Sequence, residues 1–229
     1  MAIVECVGVK KTYQQGKVAV EALRGIDLTV DKGEFIAIAG PSGSGKTTVL
    51  NLIGGLDEVT QGKIVVDGQD ITRLKSSQLS DMRLHKIGFV FQSYNLVPVL
   101  SAVENVEFVM MLQGIPRSER FRRSRAILKE VGIGDLMGRR PAEMSGGQQQ
   151  RVAVARAIVS EPVLVLADEP TANLDSKTGE RLLTLMKALN RDKGITFVFS
   201  THDKMVMELA HRVILLRDGM VVETVINDR

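Results

Sequence analysis

Residues 40–47 read Gly-Pro-Ser-Gly-Ser-Gly-Lys-Thr, and no other stretch constrains the fold of this chain as tightly. The run matches G-x-x-x-x-G-K-[ST]. It follows the apolar segment Phe35-Ile36-Ala37-Ile38-Ala39 and precedes a helical pattern with Val49, Leu50, Leu52, Ile53 and Leu56 on one side, closed by Gly54-Gly55. Strand, glycine-rich loop and helix in that order form the context the motif requires. An uninterrupted apolar strand suits a sheet covered on both faces, so an α/β core is implied. Glycines let successive backbone N–H groups point inward at phosphate oxygens, and the helix start adds unpaired donors and a positive dipole end. Lys46 is placed to neutralise the β- and γ-phosphates, and the Thr47 hydroxyl to ligate Mg²⁺.

Two further elements carry chemistry. Val163-Leu164-Val165-Leu166-Ala167-Asp168-Glu169 delivers two carboxylates to the end of an apolar strand, where ligands sit in open α/β sheets. We assign Asp168 to the metal, through water, and Glu169 to orienting and polarising an attacking water. Met144-Ser145-Gly146-Gly147-Gln148-Gln149-Gln150-Arg151 contains S-x-x-Q, a capping box that starts a helix. Val152–Val159 is apolar nearly all round, so that helix is expected to be buried. Its glycine-rich start offers a second anion site. One nucleotide does not need two such sites from one chain, whereas a nucleotide held between two chains does.

The remaining pattern places these motifs. Ile3–Val7, Val18–Leu23 and Ile26–Val30 read as antiparallel strands, Lys63–Val66 and Ile87–Phe91 as short strands. From Ser101 to Val159 apolar residues recur at helical spacing with no convincing strand. A strand at Val163–Ala167, a helix at Ser176–Lys193 ended by Gly194, and a strand at Ile195–Phe199 follow; Asp218-Gly219 joins a hairpin of Val213–Leu216 and Met220–Thr224. Thr72–Lys86 holds a possible short helix with Leu79 and Met82. The expected organisation is a P-loop α/β core of mostly parallel sheet (34–56, 87–92, 160–229), an antiparallel β part (about 1–33 and 57–75) and an inserted helical part (about 96–159).

Composition narrows the function. With 229 residues, 44% hydrophobic and 25% charged, the chain is long enough for one large α/β domain. No stretch approaches the roughly 20 apolar residues of a membrane span, and the first residues lack signal-peptide character, so a cytoplasmic protein is expected. The formal net charge of +3 argues against a nucleic-acid partner. Cys6 is the single cysteine, expected as a small buried hydrophobe. On a helix, Phe121, Leu128 and Val131 would share a face and leave Arg117, Arg120, Arg122, Arg123 and Arg125 solvated.

With these motifs in this order, the chain resembles ABC-type ATPase subunits over its whole length; Ser145–Gln148 resembles the signature of that family, with Met144 in place of the usual leucine. The resemblance implies ATP and Mg²⁺ as cofactors, with nucleotide binding by Tyr13 (stacked on adenine) and by Gly40, Pro41, Ser42, Gly43, Ser44, Gly45, Lys46, Thr47 and Thr48. It implies that Gln92 touches Mg²⁺ and water, that His202 contacts the γ-phosphate, and that Asn173, Leu174 and Asp175 form the D-loop against the opposite monomer. Ser145, Gly146, Gly147 and Gln148 would then grip the ATP of the opposite subunit in a head-to-tail homodimer. A finer similarity, to the lipoprotein-releasing and macrolide-exporter group, rests on Asn51–Asp57 and Ile87–Leu96. The implied protein is a peripheral ATPase on the cytoplasmic face of the inner membrane, powering a separate membrane permease that docks at Ser93–Pro98. A cell-division ATPase paired with a membrane protein is the alternative; a P-loop kinase would leave Ser145–Gln148 without a purpose.

Overall fold

A computed structural model describes residues 1–16 and 18–227. Strands β1 (Ala2–Gln15) and β2 (Val18–Asp31) pair antiparallel; β4 (Gln61–Val66) and the two-residue β5 (Gln69–Asp70) extend the sheet in the order β2-β1-β4-β5. The segments expected as two strands, Val18–Leu23 and Ile26–Val30, are one. Val9 pairs with Ile26 and Lys10 with Arg24, so Gly25, at φ 106°, bulges out of the ladder between them.

The second sheet is built on β3 (Phe35–Ala39), β6 (Ile87–Val90), β7 (Leu164–Asp168), β8 (Thr196–Thr201), β9 (Arg212–Arg217) and β10 (Met220–Ile226). Its order is β10-β9-β3-β8-β7-β6, parallel except for β10, which returns antiparallel to β9 through Asp218-Gly219. Both faces are covered. Phe35, Ala37 and Ala39 of β3 belong to one core cluster, with Phe197 and Phe199 of β8; Ile36 and Ile38 belong to the other, with Val198. The period of two sends alternate residues to opposite faces, which explains why these strands are apolar throughout. Cys6 is buried in the second cluster, and desolvation pushes its thiol pKa up to about 12, beyond useful reactivity.

The helices are α1 (Lys46–Ile53), α2 (Ser76–Lys86), α3 (Ala102–Leu112), α4 (Arg117–Glu130), α5 (Gly146–Ile158), α6 (Ser176–Lys193) and α7 (Lys204–Leu209). Among the described residues, 101–159 contain no strand. The expected face of α4 needs correction. Ser124, Ile127 and Leu128 are its buried residues, whereas Phe121 is 46% exposed, beyond the reach of the packed elements and against the Arg125 guanidinium. Nor are all its arginines solvated: Arg120 donates to the Ile115 carbonyl and Arg123 to that of Val159, each at 2.7 Å, because a long side chain at the edge of a buried stripe can reach a nearby backbone carbonyl.

Parallel pairing sets the site. Ala39 lies beside Thr201, Asp168 beside Ser200, and Val90 beside Ala167. The segments leaving β3, β6, β7 and β8 therefore emerge at one edge, the carboxyl ends of the strands.

Candidate functional site

The loop after β3 turns into α1 at Gly45, the N-cap, at φ 101°. A Cβ there would stand 2.7 Å from Leu23 Cδ2 and 2.9 Å from the Ala22 carbonyl, so glycine is required by both space and conformation. No side chain caps α1 and its first turn holds no carboxylate, which leaves the helix start to an anion. Lys46, 8% exposed, donates from Nζ to the carbonyls of Gly40 (2.9 Å) and Pro41 (3.0 Å). Those bonds hold the ammonium over the loop. The buried Ser44 Oγ has no partner among the described residues.

Strand β7 brings Asp168 and Glu169 alongside. Thr47 Oγ1 donates to Asp168 Oδ1 at 3.1 Å, joining the start of α1 to the strand end. Glu169 adopts φ 44°, a conformation unfavourable for a residue with a Cβ. It is held there by its N–H, which donates to the Ser200 carbonyl (2.9 Å). Its carboxylate is fixed as well: Thr201 Oγ1 donates to Oε2 (3.2 Å), and His202 Nδ1 lies 2.7 Å from Oε1. Strain maintained by surrounding bonds is a mark of functional positions. Glu169, His202 and Gln92 line one cavity of about 560 Å³ together with Pro41, Gly43, Gly45, Lys46, Thr47 and Thr48. Glu169, His202 and Gln92 thus share a space with most of the loop 40–48; Gly40 and Ser44 do not line it.

The donor set at this site, Thr47 and Gln92 in the cavity lining and Asp168 bonded to Thr47 beside it, suits Mg²⁺. Thr47 and Gln92 offer neutral oxygens and Asp168 one carboxylate, all hard donors, and the Thr47–Asp168 contact shows two of them within reach of each other. Mg²⁺ characteristically takes one or two carboxylates and completes its shell with phosphate oxygens and water. The described residues hold no group of three or more His, Cys, Asp or Glu side chains that would form a dedicated metal cage.

Tyr13 does not border this cavity. Its hydroxyl donates to Asp57 Oδ2 (2.7 Å), and Lys11 Nζ lies 4.8 Å from its ring centroid while donating to Asp57 Oδ1 (2.6 Å). Desolvation opposes ionisation of Asp57, but hydrogen bonds from Lys11 and Tyr13 outweigh it and hold the carboxyl below its ordinary range. Tyr13 is thus a ring clamped in one orientation.

At α5, Ser145 is the N-cap, and the capping box is complete: its Oγ accepts from the Gln148 N–H (3.4 Å), and Gln148 Oε1 accepts from the Ser145 N–H (2.9 Å). Ser145, Gly146, Gly147 and Gln148 do not line the nucleotide-sized cavity of their own chain. The segment 173–175 is anchored internally: Asn173 Nδ2 donates to the Gln92 carbonyl (2.9 Å), Leu174 packs on the core, and Asp175 caps α6 by accepting from the Thr178 N–H (3.0 Å). In the stretch Ser93–Pro98, Leu96 is partly buried against the core, and the exposed apolar residue is the adjacent Val99, at 70%.

Several participants were not singled out by pattern. Thr201 fixes Glu169, and Asp203 caps α7 while accepting from the Thr171 hydroxyl at 2.7 Å. The polar run Ser-Thr-His-Asp at the end of an apolar strand is the signal they leave in sequence. Gln150 and Arg156 of α5 reach the loop after β6, and Arg156 is the one charged residue in Val152–Val159. A depression of about 700 Å³ also exists between α4 and the segment 193–195, and most of its charges are paired within it, Arg122 with Glu119, Arg123 with Glu161, and Lys193 with Glu130.

The ABC transporter family profile matches residues 23–172. The lipoprotein-releasing system ATP-binding protein LolD of Syntrophus aciditrophicus is 43% identical over 96% of this chain and 99% of its own length. The macrolide export ATP-binding/permease protein MacB of Syntrophobacter fumaroxidans is 45% identical over 96% of this chain, which spans only 31% of that longer protein. Among solved structures, the ATP-binding cassette MJ0796, seen as a dimer in a post-hydrolysis state with ADP and Pi, superposes with a TM-score of 0.92 at 42% identity, covering 99% of both chains.

Proposed function

This chain belongs to the ABC transporter family, and from that premise we propose that it is the subunit that binds and hydrolyses MgATP to drive a separate membrane permease. The observation that carries the proposal is the Glu169 carboxylate, held on strained backbone by Ser200, Thr201 and His202, facing the same cavity as Lys46 and the start of α1. In the proposed reaction the triphosphate lies along the loop 40–47, its charge offset by Lys46 and by the backbone donors. Mg²⁺, held by Thr47 and Gln92 and through water by Asp168, supplies charge neutralisation when bound. Glu169 accepts a hydrogen bond, then the proton, from the water that attacks the γ-phosphorus; the bond to the β-phosphate oxygen breaks and ADP leaves. His202 braces the carboxylate and reaches the γ-phosphate. Tyr13, braced by Asp57 and Lys11, stacks on the adenine.

Because Ser145–Gln148 does not line its own chain's cavity, we assign it to the ATP of a second copy, arranged head to tail, with Asn173–Asp175 at the contact. That MJ0796 is a dimer supports pairing of two copies. The permease belongs at Ser93–Pro98, next to Val99, whose apolar side chain is exposed. No helix among the described residues is long and apolar enough to cross a membrane; the reading is a peripheral protein on the cytoplasmic face of the inner membrane. The names of the relatives favour lipoprotein release or macrolide export as the type of system. The proposal is tested by phosphate release from MgATP. Replacing Lys46 by Ala removes the point charge and should lower turnover by about 10²–10³; unchanged turnover would refute the assignment.

A further inference from the structure

The loop after β6 is held in an unusual way. Tyr94 and Asn95, at φ 60° and 50°, are consecutive residues with side chains in the left-handed region, a conformation that persists only where surroundings impose it. Each carbonyl from Phe91 to Asn95 has a donor. Phe91 O accepts from the Tyr94 N–H and, at 3.5 Å, from Gln150 Nε2; Gln92 O accepts from Asn173 Nδ2; Ser93 O accepts from the Asn95 N–H. The last two carbonyls, those of the strained residues, are taken by one group: Arg156 Nη2 donates to Tyr94 O (2.9 Å) and Nη1 to Asn95 O (2.5 Å).

Arg156 spends its fork on neutral acceptors. Burial lowers its pKa, and no charge partner offsets this among the described residues. A guanidinium placed so, bridging two adjacent carbonyls, fixes the peptide plane between them in a way that a single donor cannot. The same helix holds the turn elsewhere too. A Cβ on Gly146, the first residue of α5, would lie 2.6 Å from the Tyr94 hydroxyl, so that hydroxyl packs directly on the glycine end of the helix. Gln150, fully buried, ties α5 also to the Pro170 carbonyl, one residue past Glu169 (2.8 Å).

We propose that Arg156 is a positioning residue that latches the Tyr94–Asn95 turn onto α5, so that Gln92, the permease-facing loop and the Ser145–Gln148 helix end move as one body. This rests on the function proposed above, in which Gln92 serves the cavity and Ser145–Gln148 serves the partner's nucleotide. A push on the turn is then delivered to a helix end rather than absorbed by a flexible loop.

The test separates the latch from the activity. Arg156→Lys keeps the charge but loses the fork; Arg156→Gln leaves no stranded cation if the lysine variant folds poorly. Hydrogen exchange on each protein without nucleotide should show amides of residues 91–97 opening about tenfold faster, with α1 and α3 unchanged. Steady-state hydrolysis should show kcat lowered about 10–10²-fold, KM for MgATP held, and little further loss on adding Gln92→Ala, because the two changes disable one unit. Unchanged exchange at 91–97 in both variants would overturn the latch. Faster exchange with unaltered kcat, or losses that multiply with Gln92→Ala, would overturn its role in positioning. An inactive parent protein would refute the ATPase reading instead, and the exchange result would still decide the latch.

Discussion

Glu169 and Asp57 are both carboxylates made useful by their neighbours, and they differ in how openly the sequence shows them. Glu169 follows Asp168 at the end of an apolar strand, so its place is set by local pattern; its left-handed φ of 44° is held by Ser200, and its carboxylate by Thr201 and His202, 32 and 33 positions away. Asp57 meets Tyr13 across 44 positions and Lys11 across 46. No periodicity reports such a contact, and only the pairing of the first sheet against the start of the core creates it. The Asp57 clamp predicts a distinct phenotype. Asp57→Asn should raise the KM for MgATP about fivefold, roughly the worth of one hydrogen bond, and leave kcat nearly unchanged, if Tyr13 is the base platform we propose; initial-rate kinetics would show it. The pH dependence has a definite sign. The folded pKa of Asp57 lies below the ordinary 3.8, so its stabilisation is complete above that value and is lost as the pH falls below it. At neutral pH this clamp is therefore insensitive to acidity.

Elements with strong periodicity were legible: the buried strands β3, β7 and β8, the amphipathic α6 with Gly194 at its end, and the hairpin of β9 and β10. What escaped had physical reasons. The bulge at Gly25 interrupts the alternation of β2 without ending the strand. Helix α7, Lys204–Leu209, is too short for a helical period to show. The depth at which α5 packs is likewise invisible in sequence, although it decides whether Gln150 and Arg156 reach the loop after β6. That depth depends on Gly88 of β6, where a Cβ would meet the Ala157 carbonyl at 2.2 Å. Both parties to this contact are backbone, so Gly88→Ala must push α5 away from the sheet. We expect a loss of about 1–3 kcal/mol in stability, the usual cost of overpacking, seen in thermal unfolding, with kcat falling more than MgATP affinity. A variant as stable as the parent would show that α5 has room to shift.

For the whole molecule, the composite site is the central claim, and in the sequence it is an inference from two helix starts suited to anions in one chain and one nucleotide to hold. The structure adds that Ser145–Gln148 does not border the cavity formed by Lys46, Thr47, Gln92, Glu169 and His202. If ATP is the bridge between chains, stopping hydrolysis should stop dissociation. Glu169→Gln keeps the shape and the hydrogen-bonding reach but not the basic carboxylate, so turnover should fall about 10²–10⁴-fold while ATP still binds. Static light scattering on Glu169→Gln should therefore give the dimer mass with ATP and the monomer mass with ADP, and Ser145→Arg added to it should restore the monomer with ATP by filling the space meant for the γ-phosphate. An ATP-loaded Glu169→Gln protein that stays monomeric at high concentration, or a dimer that survives Ser145→Arg, would contradict the composite site.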